Sequence, residues 1–286
     1  MSLSFAPAPG NAGLPKLVLA AADGARAEVY LHGAHVTSWI PAGEPDDRLF
    51  LSARSRFGAG EAIRGGIPVC FPQFAAQGPL ANHGFARVSV WELVRAARTA
   101  AGAAQAVLRL GDSPATRAQW PHAFALELTV TVTGRRLELA LAVANTGAAA
   151  FEFTGALHTY LRIADVRRAV VRGLRGARYR DKVLATDGNL ESGAALGFDR
   201  EIDRVYYAAP HDLAAHEPGR TVAVRATGFP DTVVWNPGPQ RGATLGDLEE
   251  DGYLRMLCVE AAVSRAPATV EPGGRWRGSQ TLTAIS

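Results

Sequence analysis

The chain has 286 residues, of which 48% are hydrophobic and 20% charged, and its formal net charge at pH 7 is +3. This is the composition of a globular protein, and because all-β folds often exceed about 200 residues in one domain, we expect a single domain over residues 1–286. The weak positive charge predicts no nucleic-acid partner. The absence of a secretory signal and of roughly 18 consecutive apolar residues predicts a cytoplasmic protein with no membrane partner.

Short runs with strand character cover most of the chain. The clearest strand pattern extends from His122 to Asn145. Apolar and polar residues alternate there on both sides of a turn at 133–135, as in a hairpin with one buried face. The other predicted strands, in chain order, are Lys16–Ala21, Arg26–Leu31, His35–Ile40, Val88–Ala96, Gln105–Leu110, Glu152–Ile163, Thr221–Ala226, Thr232–Trp235, Leu254–Ala261 and Ser279–Ile285. Many short strands at this spacing predict an all-β sandwich or barrel.

Helical patterns are scarce. Ser113–Trp120 predicts two helical turns, because a Ser N-cap is followed by Pro, and Leu245–Glu250 predicts one helical turn.

The segment Arg162–Arg180 contains seven arginines. It has few aromatic residues and no helical stripe, which favours a solvated strand face over a nucleic-acid surface.

The two cysteines, Cys70 and Cys258, lie in apolar runs, where a small buried thiol is the usual residue. Their number and spacing match neither a disulfide framework nor a zinc site. We therefore expect no metal in this protein.

Glu260 is an unusual carboxylate because its neighbours are apolar on both faces of the strand predicted over Leu254–Ala261. Burial raises the pKa of a carboxyl group, which suits a general base at neutral pH. From the residues alone, a structural partner of a buried arginine is an equally good interpretation.

His158 is a second candidate, because strand alternation predicts which residues share its face. It shares one predicted strand face with Tyr160 and Arg162, while Leu157 and Leu161 occupy the other. A histidine on such a polar face could exchange protons with a ligand. A purely structural histidine is the competing interpretation.

Two loops rich in Gly and Pro, 63–74 and 82–87, each place an arginine beside glycines. Arg64 and Arg87 could bind an anion there, since glycine lets a ligand approach the backbone closely. They could equally pair with carboxylates, and the residues alone leave this open.

Six motifs occur in a fixed order: IRGGIPVCFPQF, HGFAR, ALHTYLRI, IDRVY, VVWNPG and CVEAA. Together they resemble the glucose-6-phosphate 1-epimerase (D-hexose-6-phosphate epimerase) family of the galactose mutarotase-like superfamily. The resemblance implies a large antiparallel β-sandwich, or supersandwich, with the active site on a concave sheet face. It also implies that the substrate is a small-molecule sugar phosphate and that no cofactor is needed. We expect a monomer.

The resemblance carries residue roles onto this sequence. It implies that His158 and Glu260 are catalytic. It further implies that substrate is bound by Arg64, Arg87 and Asp203. His83 and Trp235 are weaker candidates, since an indole could support a sugar face or equally belong to the core. Where the family commonly has Gln before the HGxAR motif, this chain has Asn82, a shorter amide whose contact with substrate would require the loop or a water to move closer.

The implied reaction opens and recloses the sugar ring. Glu260 would remove the proton from O1 while His158, as an imidazolium, protonates O5, and the roles would reverse on closure. We expect the carboxyl to face the imidazole across a space the size of a sugar ring. The alternatives are a mutarotase of unphosphorylated aldoses, a non-catalytic carbohydrate-binding sandwich and a glycosidase, the last lacking a second compelling carboxyl group.

Overall fold

The computed structural model describes residues 5–208, 210 and 212–285. In chain order its strands are β1 (Ala8–Pro9), β2 (Pro15–Ala20), β3 (Arg26–Tyr30), β4 (His35–Ile40), β5 (Val69–Cys70), β6 (Glu92–Arg98), β7 (Ala104–Gly111), β8 (Phe124–Thr133), β9 (Arg136–Asn145), β10 (Phe151–Leu157), β11 (Tyr160–Arg162), β12 (Val170–Arg172), β13 (Arg178–Asp181), β14 (Thr186–Leu190), β15 (Ala195–Gly197), β16 (Ile202–Tyr207), β17 (Asp212–Glu217), β18 (Arg220–Thr227), β19 (Asp231–Asn236), β20 (Met256–Val270) and β21 (Arg275–Ile285). The helices are α1 (Pro114–Gln119), α2 (Gly238–Ala243) and single 3-10 turns at Asn11–Gly13, Ala86–Val88, Val166–Arg168 and Gly252–Arg255.

The described strands form three antiparallel sheets. The largest has the order β15-β12-β17-β18-β21-β9-β8-β7-β6, and the second has the order β14-β13-β16-β19-β20-β10-β5, with β11 also paired to β20. A smaller sheet contains β1 to β4 in sequence order. The predicted all-β, antiparallel sandwich is confirmed.

The central hairpin shows how sequence alternation produces this fold. Strands β8 and β9 pair in register from Phe124 with Asn145 to Thr133 with Arg136. Leu126, Leu128 and Val130 are fully buried, while Glu127 and Thr129 between them remain partly exposed. The hairpin predicted over 122–145 is therefore confirmed, with one face directed into the core.

Helix α1 also follows its sequence signal. The hydroxyl of Ser113 accepts a hydrogen bond from the Thr116 amide, and the Thr116 hydroxyl accepts one from the Ser113 amide. This reciprocal capping box stabilises the start of the helix. The helical turn predicted over Leu245–Glu250 is wrong: those residues form irregular turns, and the helix in this region is α2, which precedes them.

Strands β12 to β17 were not predicted: Thr186–Leu190 of β14 is mostly exposed and shows no apolar alternation, whereas β16 is almost entirely buried. The seven arginines of the Arg162–Arg180 segment are all exposed, as expected for a solvated face. Among the residues that the structure describes, no helix combines the length and apolarity that a membrane crossing requires.

A main hydrophobic cluster, which contains residues from all three sheets, extends from Leu17 to Ala284. Strand β20 contributes Leu257 and Val259 to it, while Cys258 and Glu260 alternate to the opposite face. The single domain over 1–286 stays a prediction, with which this shared core is consistent. The second sheet thus has one face against the core and one face free to bind a ligand.

Candidate active site

A pocket of about 780 Å³ lies on that free face, a size in the range of small-molecule sites. Its floor is set by strand register: Glu260 is opposite Val233, Val233 is opposite Val205, and Val205 is opposite Arg180. Directly opposed residues in a sheet project from the same face. The row therefore crosses β20, β19, β16 and β13.

A second row of side chains runs beside the first. Tyr160 is opposite Cys258, Cys258 is opposite Trp235, and Trp235 is opposite Asp203. His158 lies between β10 and β11, where its amide donates a hydrogen bond to the Pro68 carbonyl (3.0 Å). The two rows bring residues that are distant in sequence to one surface.

His158 and Glu260 are in contact at the bottom of the pocket. Nδ1 of His158 lies 3.4 Å from Oε1 of Glu260, and the two side chains are 8% and 1% exposed. Within the described chain, Nδ1 of His158 and Oε2 of Glu260 lack hydrogen-bond partners. The two groups share a face as predicted, but the expected gap the size of a sugar ring is wrong, because their strands are adjacent.

Burial shifts both acid–base groups toward their neutral forms. It raises the pKa of the Glu260 carboxyl well above its usual value, an effect that nearby Asp203 increases and Lys182 opposes. It lowers the pKa of His158 well below its usual value, with further lowering by His83 and Arg64. The expected carboxylate–imidazolium pair is therefore wrong for the free protein. Desolvation there favours a protonated carboxyl group beside a neutral imidazole.

Aromatic rings hold His158 in place. The Tyr160 ring stacks on it at 4.7 Å with an interplanar angle of 9°, and Trp235 and His83 meet it edge-on at 6.0 and 5.2 Å. The predicted shared face is correct for His158 and Tyr160, and Arg162 alternates to the same face of β11, but the Arg162 side chain does not line the pocket. Arg162 lines a separate groove, and its Nε donates to the Leu49 carbonyl (3.4 Å) on the segment beside β11.

Arg64 lines the pocket next to Tyr160. Its Nη1 donates to the Tyr160 hydroxyl (3.0 Å), while Nε and Nη2 each lie 3.1 Å from an oxygen of Asp247. The sequence left two roles open for Arg64, anion binding and pairing with a carboxylate. In the free protein Arg64 pairs with the carboxylate of Asp247. Gly66, with φ of +60°, makes the turn possible, because a Cβ there would collide with the Val36 carbonyl oxygen.

The HGFAR loop contributes Asn82 and His83 to the pocket wall. The Ala75 amide donates to Nδ1 of His83 (3.2 Å), and burial lowers the pKa of His83 to about 3. Arg87 is not among the side chains that line the pocket; its Nη2 donates to the Asn82 carbonyl (2.8 Å), and its buried Nε has no partner in the described chain. Direct contact of Arg87 with a substrate stays a prediction.

Asp203 and Trp235 both line the pocket, and Lys182 pairs with the Asp203 carboxylate at 2.6 Å. Sequence reasoning missed several other lining residues: Arg180, Lys182, Asp187, Glu201, Tyr207, Arg241, Ser264 and Arg265. Some of these could have been found by counting in steps of two from Asp203 and Glu260, since alternate residues of a strand share a face.

Three potential metal ligands meet in the pocket. Atoms of His158, Cys258 and Glu260 lie within 4.8 Å of one another. Burial raises the pKa of the Cys258 thiol well above its usual value, which keeps it protonated and makes it a poor metal ligand. That the protein needs no metal stays a prediction.

Known proteins are similar to this chain in sequence and in fold. The aldose 1-epimerase family matches residues 15–283. A protein of Cenchrus ciliaris, provisionally named glucose-6-phosphate 1-epimerase, is 38% identical over 283 residues, or 96% of this chain and 85% of that protein. One of Escherichia coli (strain K12) with the same provisional name is 39% identical over 242 residues, or 83% and 79% of the two chains.

The solved structures agree. The crystal structure of a provisionally named mutarotase from Salmonella typhimurium matches with a TM-score of 0.90 and 33% identity, covering 99% of this chain and 94% of that one. The fold and family expected from the six motifs are confirmed. This chain is an epimerase that belongs to the aldose 1-epimerase family.

Proposed function

We propose that this epimerase interconverts the α and β anomers of a hexose 6-phosphate, with glucose 6-phosphate as the first substrate to test, and that it acts as a cytoplasmic monomer. The observation that carries the proposal is the contact between His158 and Glu260 on the pocket floor, where each has a polar atom without a partner in the described chain. Buried polar atoms are normally hydrogen-bonded. Two unpaired atoms side by side on one pocket floor therefore indicate groups that are kept for chemistry rather than for stability.

The short spacing of the pair suits the chemistry of C1. Anomerisation removes a proton from O1 and delivers one to O5, and both oxygens are bonded to C1. The acid and the base must therefore be neighbours, as His158 and Glu260 are at 3.4 Å. Glu260 takes the O1 proton while His158 protonates O5, the ring opens to the aldehyde, C1 rotates, and the reverse transfers close the ring.

The neutral state of the free pair is compatible with these roles. A neutral His158 beside a protonated Glu260 carries the same number of protons as an imidazolium beside a carboxylate. A proton shift across the contact therefore converts one state into the other without exchange with solvent. A hydrogen bond donated by a sugar hydroxyl to the Glu260 carboxylate stabilises the charged form, because hydrogen bonding to a charged form favours that form.

The remaining pocket residues would orient the sugar. The Asp203 carboxylate, held by Lys182, would accept hydrogen bonds from ring hydroxyls, and the indole of Trp235 would support the apolar face of the ring. Arg64, Asn82 and His83 line the same pocket and would contact the hydroxyls. Arg87 would act on the site through its charge and its contact with the Asn82 carbonyl.

The test follows anomer exchange by NMR magnetisation transfer with catalytic amounts of wild-type protein. We expect kcat/KM for glucose 6-phosphate to exceed that for glucose by about tenfold or more, as hydrogen bonds to a charged group allow. Equal acceleration of both sugars would favour a mutarotase of unphosphorylated aldoses. Sugar binding without acceleration of either would favour a non-catalytic carbohydrate-binding protein and contradict the proposal.

A further inference from the structure

A polar side chain, that of Gln280, occupies a position of β21 that faces the core. Buried and partly exposed residues alternate along this strand, and Gln280 lies on the same inward face as Leu282 and Ala284. Only 1% of Gln280 is exposed. An amide in the core is unfavourable unless hydrogen bonds compensate for its lost hydration, so the partners of Gln280 indicate its role.

These partners lie on the second sheet, beside His158 and Glu260. The Oε1 atom of Gln280 accepts a hydrogen bond from the Thr159 hydroxyl, and its Nε2 donates to the Val259 carbonyl (3.0 Å). Thr159 directly follows His158, and Val259 directly precedes Glu260. One side chain from the largest sheet therefore connects the two backbone segments that carry the acid–base pair.

The strand ladder beside β20 is interrupted at the point where Gln280 binds. The Val259 amide donates to the Thr159 carbonyl (3.1 Å), and in a regular antiparallel ladder a hydrogen-bonded pair of residues exchanges two such bonds. The Thr159 amide instead donates to the Leu157 carbonyl (3.0 Å), which makes a γ-turn centred on His158. Gln280 therefore supplies to the Val259 carbonyl the hydrogen bond that the Thr159 amide does not.

The γ-turn leaves His158 between β10 and β11, outside both strands. Because a turn residue lacks the full set of ladder hydrogen bonds, other contacts must fix its position. The Tyr160 ring holds His158 from the pocket side, and Gln280 holds the adjacent Thr159 from the core side. In the described part of the chain, Gln280 is not among the side chains that line the pocket. It therefore acts through the backbone rather than by touching a substrate.

The contact between His158 and Glu260 is sensitive to small displacements. Nδ1 and Oε1 are 3.4 Å apart, and both side chains must reach oxygens that are bonded to one carbon atom. A misplacement of about 1 Å can lower a rate by about 10²-fold. Loss of the Gln280 amide would free the Thr159 hydroxyl and leave the Val259 carbonyl unpaired in the core, and the spacing of the pair would change with them.

We propose that Gln280 is a positioning residue, whose buried amide sets the spacing of His158 and Glu260 by holding Thr159 to Val259. This inference rests on the proposed function, because it presupposes that the pair transfers protons. It does not depend on the phosphate group, since the same spacing serves any aldose.

The test uses variants that remove these hydrogen bonds with little change of shape. Gln280→Met and Thr159→Val are nearly isosteric with the native side chains but lack the amide or the hydroxyl, whereas Thr159→Ser keeps the hydroxyl. Asn145→Leu is the matched control, because Asn145 is a buried amide whose Nδ2 donates to the Val270 carbonyl (2.8 Å) at the other end of β20. Anomer exchange is measured by NMR on glucose 6-phosphate or glucose, whichever the wild type converts faster.

Gln280→Met and Thr159→Val should lower kcat by about tenfold to 10²-fold and leave KM unchanged, because the side chains that contact the sugar stay in place. Thr159→Ser should retain the wild-type kcat. Asn145→Leu should lower the urea midpoint of unfolding without lowering kcat. Circular dichroism identifies the folded variants, and Thr159→Val, which removes a single hydrogen bond, carries the test should Gln280→Met not fold.

A folded Gln280→Met or Thr159→Val variant with the wild-type kcat overturns the assignment. An Asn145→Leu variant whose kcat falls equally far also overturns it, because the loss would then follow from general destabilisation. A wild-type protein that accelerates the exchange of neither sugar contradicts the proposed function, and the positioning role with it. The first two failures are seen only in the variants and the third in the wild type, so they are distinguishable.

Discussion

Nδ1 of His158 lies 3.4 Å from Oε1 of Glu260, with both side chains almost completely buried beneath an open pocket. Burial of ionisable groups is unfavourable unless it is compensated, so the pair lowers the stability of the free protein in order to be ready for substrate. This trade between stability and activity leads to measurable consequences.

Glu260→Gln should stabilise the protein increasingly as pH rises. The folded-state pKa of Glu260 is raised above the ordinary value of 4.5, so between these two values the unfolded chain binds fewer protons and wild-type stability falls with increasing pH. The stability of the glutamine variant does not fall in this way, because glutamine does not titrate. Urea unfolding at pH 5 and pH 8 should give a difference between the two proteins that grows by up to about 1.4 kcal/mol per pH unit. A difference that does not depend on pH would show that the carboxyl titrates normally.

His35 should make the protein sensitive to acid. Its Nε2 donates to the Gly65 carbonyl (2.7 Å), and burial lowers its pKa to about 3. As pH falls from 6.5 toward 3, the unfolded chain binds a proton that the folded state does not, so stability decreases. In His35→Gln this decrease should be shallower by up to about 1.4 kcal/mol per pH unit in urea titrations. Above pH 7.5 the two curves should run parallel, and parallel curves below pH 6 would refute the prediction.

Gly66→Ala should severely destabilise the loop that carries Arg64. Gly66 has φ of +60° and no space for a Cβ against the Val36 carbonyl. Gly60→Ala is the matched control, since Gly60 has φ of +77° but nothing within 4 Å of an added Cβ. We expect the control to lose about 1 kcal/mol and Gly66→Ala to lose about 3 kcal/mol or more, by chemical denaturation. Equal losses would mean that the collision is relieved at no cost.

Trp235→Leu should weaken the binding of any sugar, whether phosphorylated or not. The indole lines the pocket and meets the His158 and Tyr160 rings edge-on. We expect KM for glucose 6-phosphate and for glucose to rise together by about tenfold, as loss of an aromatic contact allows. Trp276→Leu, a change at an indole that packs on Phe153 and Phe229, should lower stability and leave both KM values unchanged. A selective effect of Trp235→Leu on the phosphorylated sugar would contradict this role.

Sequence patterns predicted the parts of this protein that depend on local alternation. The β8–β9 hairpin follows from its period of two, and the burial of Glu260 follows from the apolar residues on both sides of it. Strand β14 was missed because the side chains of Thr186–Leu190 are mostly exposed and show no apolar period, and β16 was missed although it is almost entirely buried. Local alternation therefore predicts strands with one buried face better than strands that are mostly exposed or mostly buried.

The geometry of the site depends on strand register, which the sequence does not display. His158 and Glu260 touch because Leu157 pairs with Ala261 on β20, and no residue type predicts that pairing. The partner of Arg64 was hidden in the same way: Asp247 lies 183 residues away in the chain, inside the segment expected to be helical. Arg162 alternates with Tyr160 on β11 yet lines a separate groove, where it contacts the Leu49 carbonyl, and local sequence does not display that contact.

The central claim is that His158 and Glu260 act as one acid–base unit on the anomeric centre. The most direct measurement is the NMR magnetisation-transfer rate between the glucose 6-phosphate anomers with wild-type, Glu260→Gln, His158→Asn and double-variant protein. Each single variant should lower kcat by about 10²–10⁴-fold, and the double variant should lose little more, because groups that act as a unit are non-additive. A single variant that exchanges the anomers at the wild-type rate would contradict the account.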